Sequence, residues 1–399
     1  MRHEAQQVLD RLGHGDIPVG RTVGRLPSAA KQIVSMARAL SYDARLIVMD
    51  EPSAVLAHDE VANLFRVVRE LTAQGIAVVY ISHRLDEIRE IGDTVTVLKD
   101  GRTSAVDLPA RTTPTAELVA RMTGRTMEYV FPPRRPRPPD APPAGTPLLE
   151  VRGLTRPGEF RDVSLRVNAG EIVGIAGLVG SGRSELLETI YGARRPSSGE
   201  VLVDGRRLPP GRVGSAVRAG MGLAPEERKS QALLLDDRIY RNVTLASFAR
   251  YATGGLTHAG QEQQAAREVV DHLALQPRGI SAPVRTLSGG NQQKVVLGRW
   301  LLGSAAAGSR TRLLLLDEPT RGVDIGARAE LYRVVRRLAD EGMGVLMVSS
   351  EVPEVLGLAD RVLVMREGQV LRDAAADQLD EETVLDLVMS GSLLEVGQS

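Results

Sequence analysis

The 399-residue sequence predicts an α/β fold in two tandem copies, each built on a mainly parallel sheet, with the first copy lacking its front half. Three observations predict this. LIVMDEPSAVLA, ending at Ala57, resembles LLLLDEPTRGVD, ending at Asp324, and a constant offset of 267 positions relates Asp50 to Asp317, Ser82 to Ser349, Asp93 to Asp360 and Gly101 to Gly368. Eight prolines fall within the 17 residues Phe131 to Pro147, which cannot build ladders or helix and so separate the copies as a semi-extended spacer. In the second copy, short apolar runs alternate with helix-like segments.

The elements follow in order. LPSAAKQIVSMARAL from Leu26 pairs with LSGGNQQKVVLGRWL from Leu287 at an offset of 261. The six-residue difference lies in GSAAAGSR before Arg312, read as a lengthened surface loop. LLEVRGLTRPGEFRDVSLRV from Leu148 reads as a β-hairpin, and EIVGIAGL as a buried strand entering a Gly-rich turn and a helix. A mixed region with helix extends to about Pro277, then helix, strand, helix and strand run through Val364. Glu381 to Met389 is a further expected helix with no functional assignment. The expected domains are 1–127, a linker at 128–147, and 148–399. Asp317 lies 140 residues beyond Gly177, whereas only 49 residues precede Asp50, so the first copy has no room for the equivalent strand, turn and helix.

Composition excludes several function classes. Hydrophobic residues make up 43% and charged residues 25%, an ordinary globular balance. Fifty basic and fifty acidic side chains cancel, which argues against bulk attraction to nucleic acid. There is no Cys, which rules out disulfides, thiol catalysis and iron–sulfur clusters. No apolar run approaches 18 residues, and MRHEAQQVLDRLGHGD has no apolar stretch of the secretory kind, so a cytosolic setting is expected. Only four of the fifty basic residues are lysines, a bias toward arginine that matters at one position.

That position is in GLVGSGRS, Gly177 to Ser184, which matches G-x-x-x-x-G-K-[ST] except that Arg183 replaces the lysine. Backbone amides around Gly177, Gly180, Ser181 and Gly182 can converge on phosphate oxygens, helped by the dipole of the following helix, and Ser184 can offer a hydroxyl to Mg²⁺. Arg183 keeps the charge on a larger, planar group. LLLLDE, Leu313 to Glu318, is an apolar strand ending in two carboxylates: Asp317 to hold metal and Glu318 to polarise a water. Asp50 and Glu51 repeat the pair in the first copy. Ser288, Gly289 and Gly290 of LSGGNQQ, just before a helix, either meet another phosphate or merely cap the helix.

In this order and spacing, the phosphate loop, LSGGN and LDEPTRGVD resemble the ATPase domains of ABC transporters, a P-loop NTPase fold. GEIVGIAGLVGSGRSEL, APEERK, LSGGNQQK, LDEPTRGVDIGAR and VSSEVPEVLGLADRV resemble the second half of tandem-domain ATPases of bacterial monosaccharide importers of the ribose, galactose and xylose type. The resemblance implies ATP and Mg²⁺ as cofactors, and two ATPs sandwiched between P-loops and LSGG elements. It implies separate partners: two membrane-spanning permease subunits and an extracytoplasmic sugar-binding protein. A homodimer or an ATPase partner chain stays open, and the place implied is the inner face of the cell membrane. His83 matches the switch histidine, with Ser350 at its place in the second copy, and Glu226 stands where many relatives carry a Gln linking metal to membrane partner. Phe160 is the one candidate for adenine stacking. One site would use Gly177–Ser184, Asp317 and Glu318 with the first copy's LPSAA, where Pro27 and Ala30 replace a hydroxyl and an amide; the other would use Asp50, Glu51 and His83 with LSGGN. Ala57 stands where the second copy has Asp324. Weak nucleotide binding and slow hydrolysis are therefore expected. The alternative is a degenerate nucleotide-binding module that pairs with another ATPase chain; the Pro-rich spacer and SSE argue against an ABC protein of translation or DNA repair.

Overall fold

The computed structural model describes residues 2–42, 44–53, 58–82, 84–99, 101–123, 131–134, 147–178, 180–254, 256–276, 279–302 and 311–390. His83, Ala57, most of the linker and the whole GSAAAGSR loop lie outside them. The chain divides into two compact units, Met1–Met127 and Glu128–Ser399.

In the first unit, α1 (Arg2–Arg11) and α2 (Ser28–Leu40) precede β1 (Leu46–Asp50). Then come α3 (His58–Ala73), β2 (Ala77–Ile81), α4 (Leu85–Ile91), a hairpin of β3 (Thr94–Lys99) and β4 (Arg102–Pro109), and α5 (Thr115–Thr123). β1 pairs parallel with β2 from Leu46↔Ala77 to Asp50↔Ile81. α2 and α3 bury Ile33, Met36, Leu64, Phe65, Val68 and Leu71 against the inward side chains Ile47 and Met49. The other face of the pair is open: Leu46 is 54% and Val48 61% exposed.

The second unit opens with an antiparallel sheet. β5 (Leu149–Arg156) and β6 (Phe160–Val167) form the expected hairpin, extended through β8 (Ser198–Val203) to β9 (Arg206–Arg207). Between them runs β7 (Ile172–Ala176), whose five residues are all buried, followed by the Gly-rich turn and α6 (Arg183–Tyr191). A continuous apolar run of this kind suits the middle of a parallel sheet covered on both faces. α7 (Val213–Arg218) and β10 (Met221–Ala224) lead to a short π-turn at Arg228–Ala232 and a helical region of α8 (Ile239–Thr244), the small hairpin β11 and β12 (Ala252–Thr253, Leu256–Thr257), α9 (Ala259–His272) and α10 (Gly289–Leu301). Trp300 of α10 fills the space over Gly222, where a Cβ would stand 2.6 Å from the indole, and donates its N–H to Leu223 O at 2.9 Å.

The repeat then recurs as β13 (Leu313–Asp317), α11 (Ile325–Asp340), β14 (Gly344–Ser349), α12 (Val352–Leu358), β15 (Arg361–Arg366), β16 (Gln369–Ala375) and α13 (Glu381–Ser390). β13 pairs with β14 from Leu313↔Gly344 to Asp317↔Val348, the register of β1 and β2 shifted by 267. Here the sheet has six strands in the order β10–β13–β14–β7–β15–β16, and all but β16 are parallel to their neighbours. β7 sits between β14 and β15; among the described residues of the first unit no strand joins β2 to β3. In the second unit β13 is flanked by β10 and packed against α6, which is why Leu313 and Leu315 are fully buried while Leu46 and Val48 are not.

Register places the site. Ala176, the last residue of β7, is level with Ser349 of β14, and Asp317 of β13 is level with Val348. The glycine bend, the carboxylate pair and the end of β14 therefore emerge together at the carboxyl edge of the sheet, where parallel sheets bind ligands.

Candidate nucleotide site

The bend between β7 and α6 is held by tight packing. A Cβ on Gly177 would stand 2.4 Å from Met365 O, and one on Gly182 2.2 Å from Glu159 O. Gly180 and Gly182 take φ of 83° and 91°, a region that excludes bulky residues. The glycines at 177 and 182 are thus demanded first by the protein's own backbone, with close approach of phosphate an added consequence. α6 starts at the bend with Gly182 as its N-cap and no side chain capping it, which leaves amides free to meet an anion. Ser181 Oγ is buried and has no hydrogen-bond partner among the described residues. An orphaned hydroxyl beside open amides fits a phosphate oxygen.

Arg183 is buried and folds back over the carboxylates. Its guanidinium donates to Ser349 O and to Glu318 Oε1, the latter at 3.2 Å. Burial lowers its pKa, while Glu318 and Asp317 oppose the shift; a guanidinium stays charged regardless. Ser184 Oγ donates to Asp317 Oδ1 at 3.0 Å. Burial pushes the Asp317 carboxyl up to about 7, with the Ser184 hydrogen bond pulling it back. Glu318 is also raised by burial, opposed by Arg183 and by Ser350, whose hydroxyl donates to Glu318 Oε2 at 3.1 Å. Two like charges in one buried place disfavour full ionisation. A cation would relieve that, and a hydroxyl beside a carboxylate is a hard-oxygen donor pair suited to Mg²⁺.

The structure thus brings together Gly177, Gly180, Ser181, Gly182, Arg183, Ser184, Asp317 and Glu318, with Ser350 beside them. Ser288, Gly289 and Gly290 lie at the start of α10, packed on the turn beyond Glu318. Ser288 occupies the N-cap position without a side-chain cap bond, and its hydroxyl instead accepts from Asn291 at 3.0 Å. A Cβ on Gly289 would stand 2.6 Å from Gly322 O, and on Gly290 2.5 Å from Ala327 Cβ. These two glycines are explained by packing of α10 on α11 and its leading turn. In the first unit, Asp50 and Glu51 close β1 as Asp317 and Glu318 close β13. Pro27 begins α2 where Ser288 begins α10.

One reading needs correction. Phe160 is 2% exposed within the main core: β6 alternates inward at Val163, Leu165 and Val167, and the left-handed backbone of Asp162 (φ 52°) breaks that alternation and turns the Phe160 ring inward too, so it offers no stacking face. Glu226 is held in an ion pair by Arg321, and next to it Arg228, which sequence reasoning missed, donates to Arg321 O and to Gly322 O at 3.0 Å. The APEERK segment is therefore clamped to the turn that follows the carboxylate pair. Both Glu51 and Glu318 are also unexpected in their backbone: φ is 46° and 44°. Non-glycine residues held there store strain of the kind that gathers at functional sites.

Comparison with known proteins agrees with this geometry. The family model described as ABC transporter matches residues 160–321. The ribose import ATP-binding protein RbsA 1 of Rubrobacter xylanophilus is 47% identical over 401 residues, covering 100% of this chain and 77% of that protein. Proteins of the same description from Streptomyces avermitilis and Corynebacterium glutamicum are each 45% identical over 390 residues, covering 98% of this chain and 72% of theirs. Among solved structures, cbiO1 of Clostridium perfringens, part of the ABC transporter complex cbiONQ, aligns with a TM-score of 0.50 at 19% identity over 62% of this chain and 97% of its own. That likeness speaks to the fold.

Proposed function

The chain belongs to the ATP-binding proteins of ABC transporters, and from that premise we propose that it is the energy-coupling ATPase of a monosaccharide import system. The observation that supports this most is the meeting of the glycine bend, the Ser184–Asp317 pair and the Arg183–Glu318 pair at one sheet edge. Residues 148–399 form the complete cassette, and residues 1–127 correspond to the C-terminal part of another, with 128–147 as linker.

In the mechanism, amides of the bend and the Ser181 hydroxyl bind the triphosphate tail. Arg183 exchanges Glu318 and Ser349 O for a phosphate oxygen, which leaves Glu318 free to orient the attacking water. Ser184 and Asp317 would hold Mg²⁺, and Asp50 is the matching ligand in the first unit. Bound there, the metal would neutralise charge on the phosphates. Ser288, Gly289 and Gly290 offer the signature wall to a nucleotide, and Glu51 with His83, a histidine that the second copy replaces by Ser350, serves hydrolysis at that site. The first unit's counterpart of the signature places Pro27 and Ala30 where Ser288 and Asn291 supply polar groups, so turnover by this chain is slow.

Among the described residues no helix is long and apolar enough to cross a membrane. The partners are accordingly two permease subunits as separate chains, with an extracytoplasmic sugar-binding protein beyond them, and the chain works at the inner face of the membrane. Hydrolysis of Mg-ATP by the purified chain, compared with Glu318→Gln, tests the reading. The variant should bind nucleotide and lose about 100-fold or more in rate; equal rates would reject the assignment.

A further inference from the structure

Glu354, on α12, is 2% exposed, and no step above uses it. Thr320 donates to one carboxylate oxygen at 2.9 Å and Ser349 to the other. Ser349 Oγ also accepts Glu351 N–H at 3.1 Å, and its main-chain oxygen receives Arg183. The next residue, Ser350, reaches Glu318. One carboxylate thus ties the turn after Glu318 to the strand end that carries Ser350, and these are the two arms that hold Glu318.

An apolar side chain would fill the same space without the cost of burying a carboxylate. That cost is visible: burial pushes Glu354 up to about 7, with the Ser349 and Thr320 hydroxyls and Arg328 opposing and Glu351 adding to the rise. Arg328 and Tyr332 face it from α11, and Glu351 from the start of α12. The arrangement also occurs twice. In the first unit Glu87, likewise 2% exposed, joins the same two loops through a single oxygen, Oε2, which accepts from Ser53 at 2.8 Å, Ser82 at 3.0 Å and Tyr80 at 2.9 Å, while Oε1 pairs with Arg84 at 2.9 Å. Ser53, Ser82 and Glu87 stand 267 positions before Thr320, Ser349 and Glu354. The copies differ in their signature elements yet both keep this clasp.

We propose that Glu354 is a positioning residue for hydrolysis: through Thr320 and Ser349 it fixes the spacing of the two loops that present Glu318, and Glu87 does the same for Glu51. This rests on the nucleotide-site reading above.

The test is single-turnover hydrolysis of Mg-ATP with the full chain in excess, alongside the Kd for Mg-ATP and the melting temperature. Glu354→Ala should slow hydrolysis of bound ATP about 10-fold or more while Kd moves less than about 3-fold, because misplacement acts on the reaction and not on binding. Glu354→Gln keeps the shape and can bond both hydroxyls, so it should stay within about 3-fold of the unmodified chain. Thr320→Val, which removes one arm without emptying the site, should show the same split if the alanine variant does not fold. Unchanged hydrolysis in Glu354→Ala, or equal loss of binding and hydrolysis in the Ala and Gln variants, would overturn the inference. Failure of the unmodified chain to bind Mg-ATP would instead reject the nucleotide reading. Deuterium exchange at 318–323 and 349–353 then decides the clasp: exchange raised together by Glu354→Ala and restored by Gln supports it, and unchanged exchange refutes it.

Discussion

Glu51 and Glu318 stand in the same left-handed backbone, at φ of 46° and 44°, and each donates its N–H at 2.9 Å to the neighbouring strand, to Ile81 O and Val348 O respectively. Two units with different surroundings thus hold the residue after the strand aspartate in one strained posture.

The posture makes a stability prediction. Glu318→Gly and Glu318→Ala both lose every side-chain contact, and only glycine is at ease at this φ. The Gly variant should be more stable than the Ala variant by about 1 kcal/mol, and the same ordering should hold at Glu51. Denaturant melts of the four variants check it; Ala as stable as Gly at both positions would mean that the backbone there is unstrained.

Arg183 should matter to the empty protein as well as to nucleotide binding. Arg183→Ala leaves Glu318 buried without its cation, which should cost about 3 kcal/mol in the nucleotide-free chain. Arg183→Lys keeps the charge and fits the compact pocket of the usual motif, so it should bind Mg-ATP at least as well as the native residue. Calorimetry and melts of the two variants separate these effects.

The raised carboxyls give stability a defined pH dependence. Asp317 and Glu354, both pushed up to about 7 by burial, and Glu318, raised in the same sense, bind protons more readily folded than unfolded. Their protonated forms therefore favour the folded chain, and stability falls as pH rises from about 4.5 to about 7, by at most about 1.4 kcal/mol per pH unit per carboxyl. Glu354→Gln should flatten that slope in nucleotide-free melts. An unchanged slope would show that Glu354 titrates in its ordinary range.

Gly290 should be needed for packing whether or not nucleotide is bound. Ala is normally the better helix former, yet a Cβ here meets Ala327 Cβ at 2.5 Å. Gly290→Ala should destabilise the nucleotide-free chain by about 1–3 kcal/mol. No loss on melting would return the glycine to a purely ligand-binding role.

Much of this was legible because a repeat carries its own control. The 267-residue offset, found in letters alone, reappears as the shared register of β1–β2 and β13–β14. The hairpin at 149–167, the strand–turn–helix at 172–191 and the helix beginning at Glu381 were equally readable, since each has a clean apolar pattern between turn residues. The helical region from Ile239 to His272 reads only as mixed, because α8 is short, buried at every position but Arg241, and gives little period. The side taken by the Phe160 ring depends on the break in alternation at the left-handed Asp162, which the residue pattern does not announce. Arg183 over Glu318, and the Glu354 clasp, depend on which loops meet at the sheet edge, and no local spacing encodes that.

The central claim is one working phosphate bend per chain. Calorimetric titration of the chain with Mg-ATP measures it directly, and the account predicts a single saturable site per chain that weakens about tenfold or more in Arg183→Ala. No heat of binding, or two equivalent sites per chain, would contradict it.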